Sequence, residues 1–342
     1  MTTRRSRQAG FTLVELMISL VLFSFAVAGV LAVAVSMSQG FREQRAAMGA
    51  EGAVRVPLDF IADALRQSSP GAPTGNIQDL VACTNTVLAV SNNQTSINTP
   101  FITGWDKLDV IFASGAVVTS TLDPYDPAVS NTVHVNDASQ LVAGDSVVIS
   151  NLGQGHLLKL ASVAGNALTF VAPACAWTPP QGGTYTMGSF IIRAQHAIFT
   201  IDSVDGIPTL MMDPDAGGPA VPEPLAEGVE DLQIALGVDS NPPLVPDGKL
   251  GTIPWVAGTF EDSTGPNLDE WQGNNAGDGV LSGPVRAVRV TLVARTTTGL
   301  VGNKTPFVRP AVEDHAASGT PDKFRRRILR SIVEIRNMAG SP

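Results

Sequence analysis

A chain of 342 residues, 44% of them hydrophobic, can bury a sizeable core, and its length suits one large all-β domain or two smaller ones. Charged residues make up only 15%, against about 25% in a typical soluble domain, and the mean hydropathy is +0.17. The net charge of −9 and pI near 4.9, with no basic stripe interleaved with aromatics, exclude a nucleic-acid-binding surface and suit a protein kept soluble outside the cytoplasm.

The chain opens on a basic leader, Arg4, Arg5 and Arg7, which runs to Gly10. From Leu16 to Val35 it then reads LMISLVLFSFAVAGVLAVAV. That is about twenty residues without a charge, enough for a helix to cross a ~30 Å hydrocarbon core. The arginines ahead of it predict a cytoplasmic N-terminus, with everything downstream delivered to the far side. A cleavable secretory signal would have a shorter apolar run and a small-x-small site after it. Here SMSQGFREQR follows, helical and charged in character.

Glu15 stands inside this apolar segment. A carboxylate there costs roughly 2.5–3.5 kcal/mol on insertion scales, so it calls for a cation. A cut after Gly10 would create one, the α-amino group of Phe11, either on the same chain or on a packed neighbouring helix. The plainer reading lets Glu15 snorkel to the headgroups.

The helical pattern continues from Gln39 to Gln67. Val54, Leu58, Ile61 and Leu65 form one apolar stripe, with Asp59, Asp63 and Arg66 off it. Pro57 predicts a kink, and SSPGAPTG (68–75) ends the helix. From about Asn76 the texture changes to short β-like runs between turn residues. LDVIFA (108–113), DSVVIS (145–150), HLLKLASV (156–163), ALTFVA (167–172), GSFIIRAQHAIFTID (188–202) and GIPTLMMD (206–213) are predicted strands, the last two flanking the turn SVDG. AVRVTLVAR places Val288, Val290, Leu292 and Ala294 on one face and Arg289, Thr291 and Arg295 on the other; RRILRSIVEIRN is the final strand. The segment 299–323 between them reads as a long loop. The expected organisation is a leader over 1–10, a transmembrane helix over 11–38, its amphipathic continuation over 39–67, and a mainly β head over 68–342.

The stretch GFTLVELMISL resembles the signal of type IV prepilins and their relatives. The resemblance implies cleavage by prepilin peptidase between Gly10 and Phe11 and N-methylation of Phe11. It also implies that Glu15 neutralises the amino terminus of a neighbouring subunit during assembly. In the head, LAEGVEDLQIALGVDSN (225–241), GDSVVISNLGQGHLLKLASV, VRAVRVTLVART and RRRILRSIVEIRN resemble the PilW group of minor pilins. The J-type pseudopilins of type II secretion share the helix and a related last strand, and remain an alternative. A third reading makes the head an adhesin and the helix its handle.

The implied fold is α+β and pilin-like, a long N-terminal helix packed on a mainly antiparallel β head. The implied partners are prepilin peptidase, other minor and major pilins and the inner-membrane assembly platform. The implied location is the inner membrane, single-pass with a periplasmic head, and later the pilus at the cell surface. Retention of Glu15 and the bulk of the head predict a place near the filament tip, below the apical subunit.

Catalytic patterns do not emerge. His134, His156, His196 and His315 stand apart in sequence without metal-ligand spacing, there is no nucleophile elbow, and GNKT at 302–305 lacks a P-loop lead-in. Asp123/Asp126 and Asp213/Asp215 sit beside prolines and read as turns. No enzyme activity, cofactor or metal is expected. Asp239, Asn241 and Asp247 could offer oxygens to calcium, but Pro242, Pro243 and Pro246 break the ligand spacing, which favours a plain polar loop. Cys83 and Cys175 would both lie where disulfides persist. They are either bonded, closing a loop that would contribute about 4–5 kcal/mol, or two buried thiols.

Overall fold

The computed structural model describes residues 12–72, 76–85, 87–95, 103–216, 218, 220–238, 271–272, 285–299, 306–313, 315–317 and 320–335. The chain forms two compact units, 1–48 and 49–342. Helix α1 (Leu13–Arg66) contributes to both.

In the first unit, α1 carries no charge from Leu16 to Phe41. Its segment Leu13–Phe41 is 29 residues long, has none of its most apolar window buried, and is long and apolar enough to cross a membrane. In the second unit the pattern narrows to one stripe. Val54, Leu58, Ile61 and Leu65 are buried, together with Ala62 and Ala64, while Asp59, Asp63 and Arg66 face outward. The helix runs on through Pro57. It ends where Ser69 and Gly71 adopt φ of 56° and 72°. A Cβ on Gly71 would also sit 2.9 Å from Ile192 Cδ1, so the tight exit from the helix requires glycine there.

The head is built from two sheets. The strands of the first are β1 (Ile77–Asp79), β2 (Leu88–Thr95), β3 (Thr103–Ser120), β4 (Thr132–His134), β5 (Ser146–Ser150), β6 (Gly155–Ala164), β7 (Ala167–Phe170), β8 (Phe190–Val204), β9 (Ile207–Asp213) and β10 (Glu223–Glu227). Its main path is β10-β9-β8-β5-β6-β7-β4, with β2-β3 added through β8 and β1 on β6. The pairing of β1 with β6 is parallel and the other ladders of this sheet are antiparallel. The β8–β9 hairpin turns on Asp205 and Gly206, with φ of 51° and 79°, the two-residue turn that an Asp-Gly pair favours because both positions need positive φ.

The second sheet has the order β12-β11-β13-β14, from β11 (Val229–Val238), β12 (Trp271–Gln272), β13 (Val285–Arg295) and β14 (Arg326–Glu334). Strand β13 pairs antiparallel with both β11 and β14.

Among the described residues three apolar clusters hold the head. The largest joins the α1 stripe to β2, β3, β8 and the second sheet, through residues such as Phe112, Phe199, Leu232, Val290 and Leu292. Phe60 of α1 stacks edge-on against Phe112 and Phe199, with ring centroids 6.3 and 6.0 Å away. A second cluster fills the lobe of β4–β7 around Tyr125, Leu160, Phe170 and Tyr185. A third, smaller cluster lies under β1. The architecture is α+β and pilin-like, an N-terminal helix followed by a mainly antiparallel head.

Candidate functional site

The first site is the start of α1. Gly10 and Phe11 lie outside the described residues. Glu15 lies within them, and its carboxylate already has a partner. Its Oε2 accepts from the Thr12 backbone N–H at 3.1 Å and from the Thr12 hydroxyl at 3.0 Å, while the Glu15 N–H donates to Thr12 Oγ1 at 3.3 Å. This reciprocal arrangement is a capping box, which satisfies N–H groups that a helix start leaves without intrahelical partners. Its signature, T-x-x-E over 12–15, is legible in the sequence. An acid in the first turn is also favoured by the helix dipole. Beyond it, Leu16, Met17, Leu20, Phe23 and their neighbours expose a continuous apolar surface.

The head carries several polar clusters that sequence reasoning did not assemble. His196 of β8 lies buried between two carboxylates, with Nδ1 on Asp79 and Nε2 on Asp109. Burial alone would lower its pKa, but the hydrogen bonds and charges of Asp109 and Asp79 outweigh it and raise the pKa to about 9. Both ring nitrogens therefore donate, and the group is an imidazolium at neutral pH. His156 is the opposite case. It is fully buried, Nε2–H donates to the Thr178 carbonyl at 2.9 Å, and Nδ1 accepts from the Tyr185 hydroxyl. Burial pushes its pKa down to about 4, and it pushes the Tyr185 phenol up. His134 pairs with Asp123 in the open, at 2.7 Å. His315 shares Asp231 with Arg309, at 2.7 and 2.8 Å. All four histidines, which stand apart in sequence, thus have acidic or hydrogen-bonding partners in space.

On the second sheet the face of β13 opposite the core is also covered. Glu313, from the segment between β13 and β14, is buried and accepts from Arg289 Nε and Nη2 along one guanidinium edge and from the Thr291 hydroxyl. No group of three or more His, Cys, Asp or Glu side chains suited to a metal occurs among the described residues. The calcium candidates Asp239, Asn241 and Asp247 lie outside them. Asp126 and Asp215 do cap turns, accepting from the backbone N–H of Ala128 and Ala220. Cys83 and Cys175 are free thiols, the first exposed and the second half-buried, on two segments that hydrogen bonds tie together.

Two family models match the chain. The prokaryotic N-terminal methylation motif covers residues 5–31, and the type IV pilus-assembly protein W covers 198–337. No curated protein and no solved structure matches. The first match spans the second half of the leader, Gly10, Phe11 and Glu15; the second spans the end of β8, both strands that follow it and the whole sheet against which the α1 stripe packs. Motif, apolar helix and head agree, and the two matches support a type IV prepilin-like protein of the PilW type.

Proposed function

We propose that this protein is a minor pilin that acts by packing rather than catalysis, near the tip of a type IV pilus. Prepilin peptidase cuts after Gly10 and methylates Phe11. The leader arginines keep the N-terminus cytoplasmic, α1 anchors the subunit in the inner membrane, and the head faces the periplasm until assembly carries it to the cell surface. Glu15 then meets the amino terminus of a neighbouring subunit, exchanging or sharing its contacts with Thr12.

The observation that carries this reading is the coincidence, on one continuous helix, of the methylation motif with an apolar span and a stripe docked on a PilW-type head. The match to a pilus-assembly family favours the pilus over a secretion pseudopilus. Residues 68–342 make a head too bulky to repeat along a close-packed shaft, which favours a scarce subunit near the tip.

Co-purification of the protein with other pilins from detergent-solubilised membranes tests the proposal. Glu15→Ala is expected to insert normally and to lose its companions. Normal assembly of that variant, or labelling of the native protein along the whole shaft, would overturn it.

A further inference from the structure

The two cysteines are 92 positions apart in sequence and are brought together by two segments that have little regular structure of their own. Cys83 sits on a turn that closes directly after β1. Asp79 builds this turn. Its N–H donates to the Thr84 carbonyl at 2.7 Å, and its Oδ1 accepts from the N–H groups of Val81 and Ala82 at 2.6 and 2.9 Å. Within it Cys83 takes a left-handed conformation, φ 61°, which turns its side chain out to an exposed position. The second oxygen of Asp79 is held from below by His196, so the platform under Cys83 is fixed to β8.

Cys175 lies on a strap between β7 and β8. The strap runs along the β1 turn and is tied to it by backbone and amide contacts. Ala174 N–H donates to Leu80 O, Gln78 Nε2 donates to Ala176 O, and Thr178 N–H donates to Gln78 Oε1, all at 2.9 Å. Pro173, Cys175 and Trp177 alternate toward the head while Ala174, Ala176 and Thr178 face out. Trp177 reaches the His156 ring with centroids 5.6 Å apart. The Cys175 thiol approaches the Asp79 carbonyl at the base of the turn that carries Cys83, Sγ to O 3.8 Å.

We propose that Cys83 and Cys175 are a disulfide-forming pair, oxidised by a protein disulfide after the head leaves the cytoplasm, and that the bond clasps the strap to the β1 turn. The inference rests on the periplasmic placement of the head proposed above. Burial pushes the Cys175 thiol up to about 11, helped by its Cys83 contact, so the exposed Cys83 is the thiol that reacts first. As a thiolate it attacks one sulfur of the oxidant's disulfide, and the oxidant's other sulfur leaves as a thiolate. Cys175 then gives up its proton, attacks the Cys83 sulfur and expels the oxidant's second thiol. Two electrons and two protons pass from the cysteine pair to the oxidant, which ends as a dithiol. Apart from Pro173, Cys175, Trp177 and the buried Pro180 the strap has little buried surface, and segments of that kind open locally. The bond would suppress that opening.

The test uses the full chain. Cells are treated with a thiol-alkylating reagent before lysis, and the membrane-extracted protein is mapped under non-reducing conditions. The expected product is a linked peptide pair holding Cys83 and Cys175. In parallel, purified reduced protein in detergent is equilibrated with glutathione and oxidised glutathione. Two free thiols in that buffer would overturn the pairing itself. A bond formed in the buffer with alkylated thiols in cells would leave the pairing standing and overturn the periplasmic placement. Cleavage within 171–183 by a protease should be at least about tenfold slower in the oxidised protein; equal rates would overturn the clasp.

Discussion

Thr12 and Glu15 satisfy one another at the start of α1, with the Glu15 carboxylate accepting from the Thr12 N–H and hydroxyl at 3.1 and 3.0 Å. The acid therefore has a partner on its own helix before any neighbour arrives. That lowers the cost of holding a carboxylate in an apolar segment. It also means that pairing with a neighbouring amino terminus competes with the cap or is added to it.

Thr12→Ala removes the cap and leaves the acid. A lost cap costs about 1 kcal/mol, which corresponds to roughly fivefold more opening of the first turn. Amide exchange at Glu15, whose N–H the Thr12 hydroxyl holds, should accelerate by about that factor in detergent-solubilised protein, with exchange beyond residue 54, where α1 docks on the head, unchanged. Unchanged exchange at Glu15 would mean that the cap does not hold this turn.

Glu15→Gln separates the cap from the charge. Glutamine can still accept from Thr12 but cannot neutralise an ammonium group. If the charge drives assembly, Glu15→Gln should lose its pilin companions as completely as Glu15→Ala, while its first-turn exchange stays close to that of the native protein. Normal co-purification of Glu15→Gln would assign the role of Glu15 to capping.

Much of the architecture is legible in the sequence because it is written as periodicity. The apolar run and the stripe Val54, Leu58, Ile61 and Leu65 give α1 and its docked face. The SVDG turn gives the β8–β9 hairpin, and the alternation of AVRVTLVAR gives β13. Strands of two or three residues, such as β1, β4 and β12, are too short to show a period. Tertiary pairing is a different matter. Asp79 and Asp109 reach His196 from 117 and 87 residues away, and a periodicity names a face, not a partner. The same limit hides Glu313, whose segment reads only as a loop, and the covering of Arg289 and Thr291 beneath it.

The two buried histidines predict a stability optimum. His196 has its folded pKa raised from 6.5 to about 9, so its contribution is fully present below 6.5 and is lost as pH rises through 9. His156 has its folded pKa lowered from 6.5 to about 4, so its contribution is present above 6.5 and is lost as pH falls through 4. Their combined contribution peaks near 6.5. The alkaline limb should lose up to about 3 kcal/mol. Denaturant midpoints of the full chain in detergent between pH 4 and pH 10 measure the profile. His196→Asn should flatten the alkaline limb specifically; a limb of unchanged slope would show that His196 is neutral in the folded state.

The last expectation concerns the cover on the second sheet. Arg289 and Glu313 form an ion pair with side chains only 6% and 1% exposed, Nη2 to Oε2 2.6 Å, and Arg330 adds a longer contact of 3.3 Å. A buried pair gains little over an apolar one, because both ions lose their water. Removing one partner leaves the other buried charge poorly compensated and typically costs about 3–5 kcal/mol. Glu313→Ala should fall in that range and release the segment around residue 313 to proteases. Glu313 also holds a left-handed φ of 49°, so Glu313→Gly removes the same carboxylate while relieving the backbone, and should cost about 1 kcal/mol less than Glu313→Ala. The double variant Arg289→Met/Glu313→Leu removes both charges. It should be more stable than either Glu313→Ala or Arg289→Ala, because neither member of the buried pair is left facing an empty partner and the half-exposed Arg330 loses only its longer contact. Denaturant midpoints for the four variants decide the matter. A Glu313→Ala cost below about 1 kcal/mol, the size of an exposed ion pair, would mean that water reaches Arg289 and that the segment is not clamped.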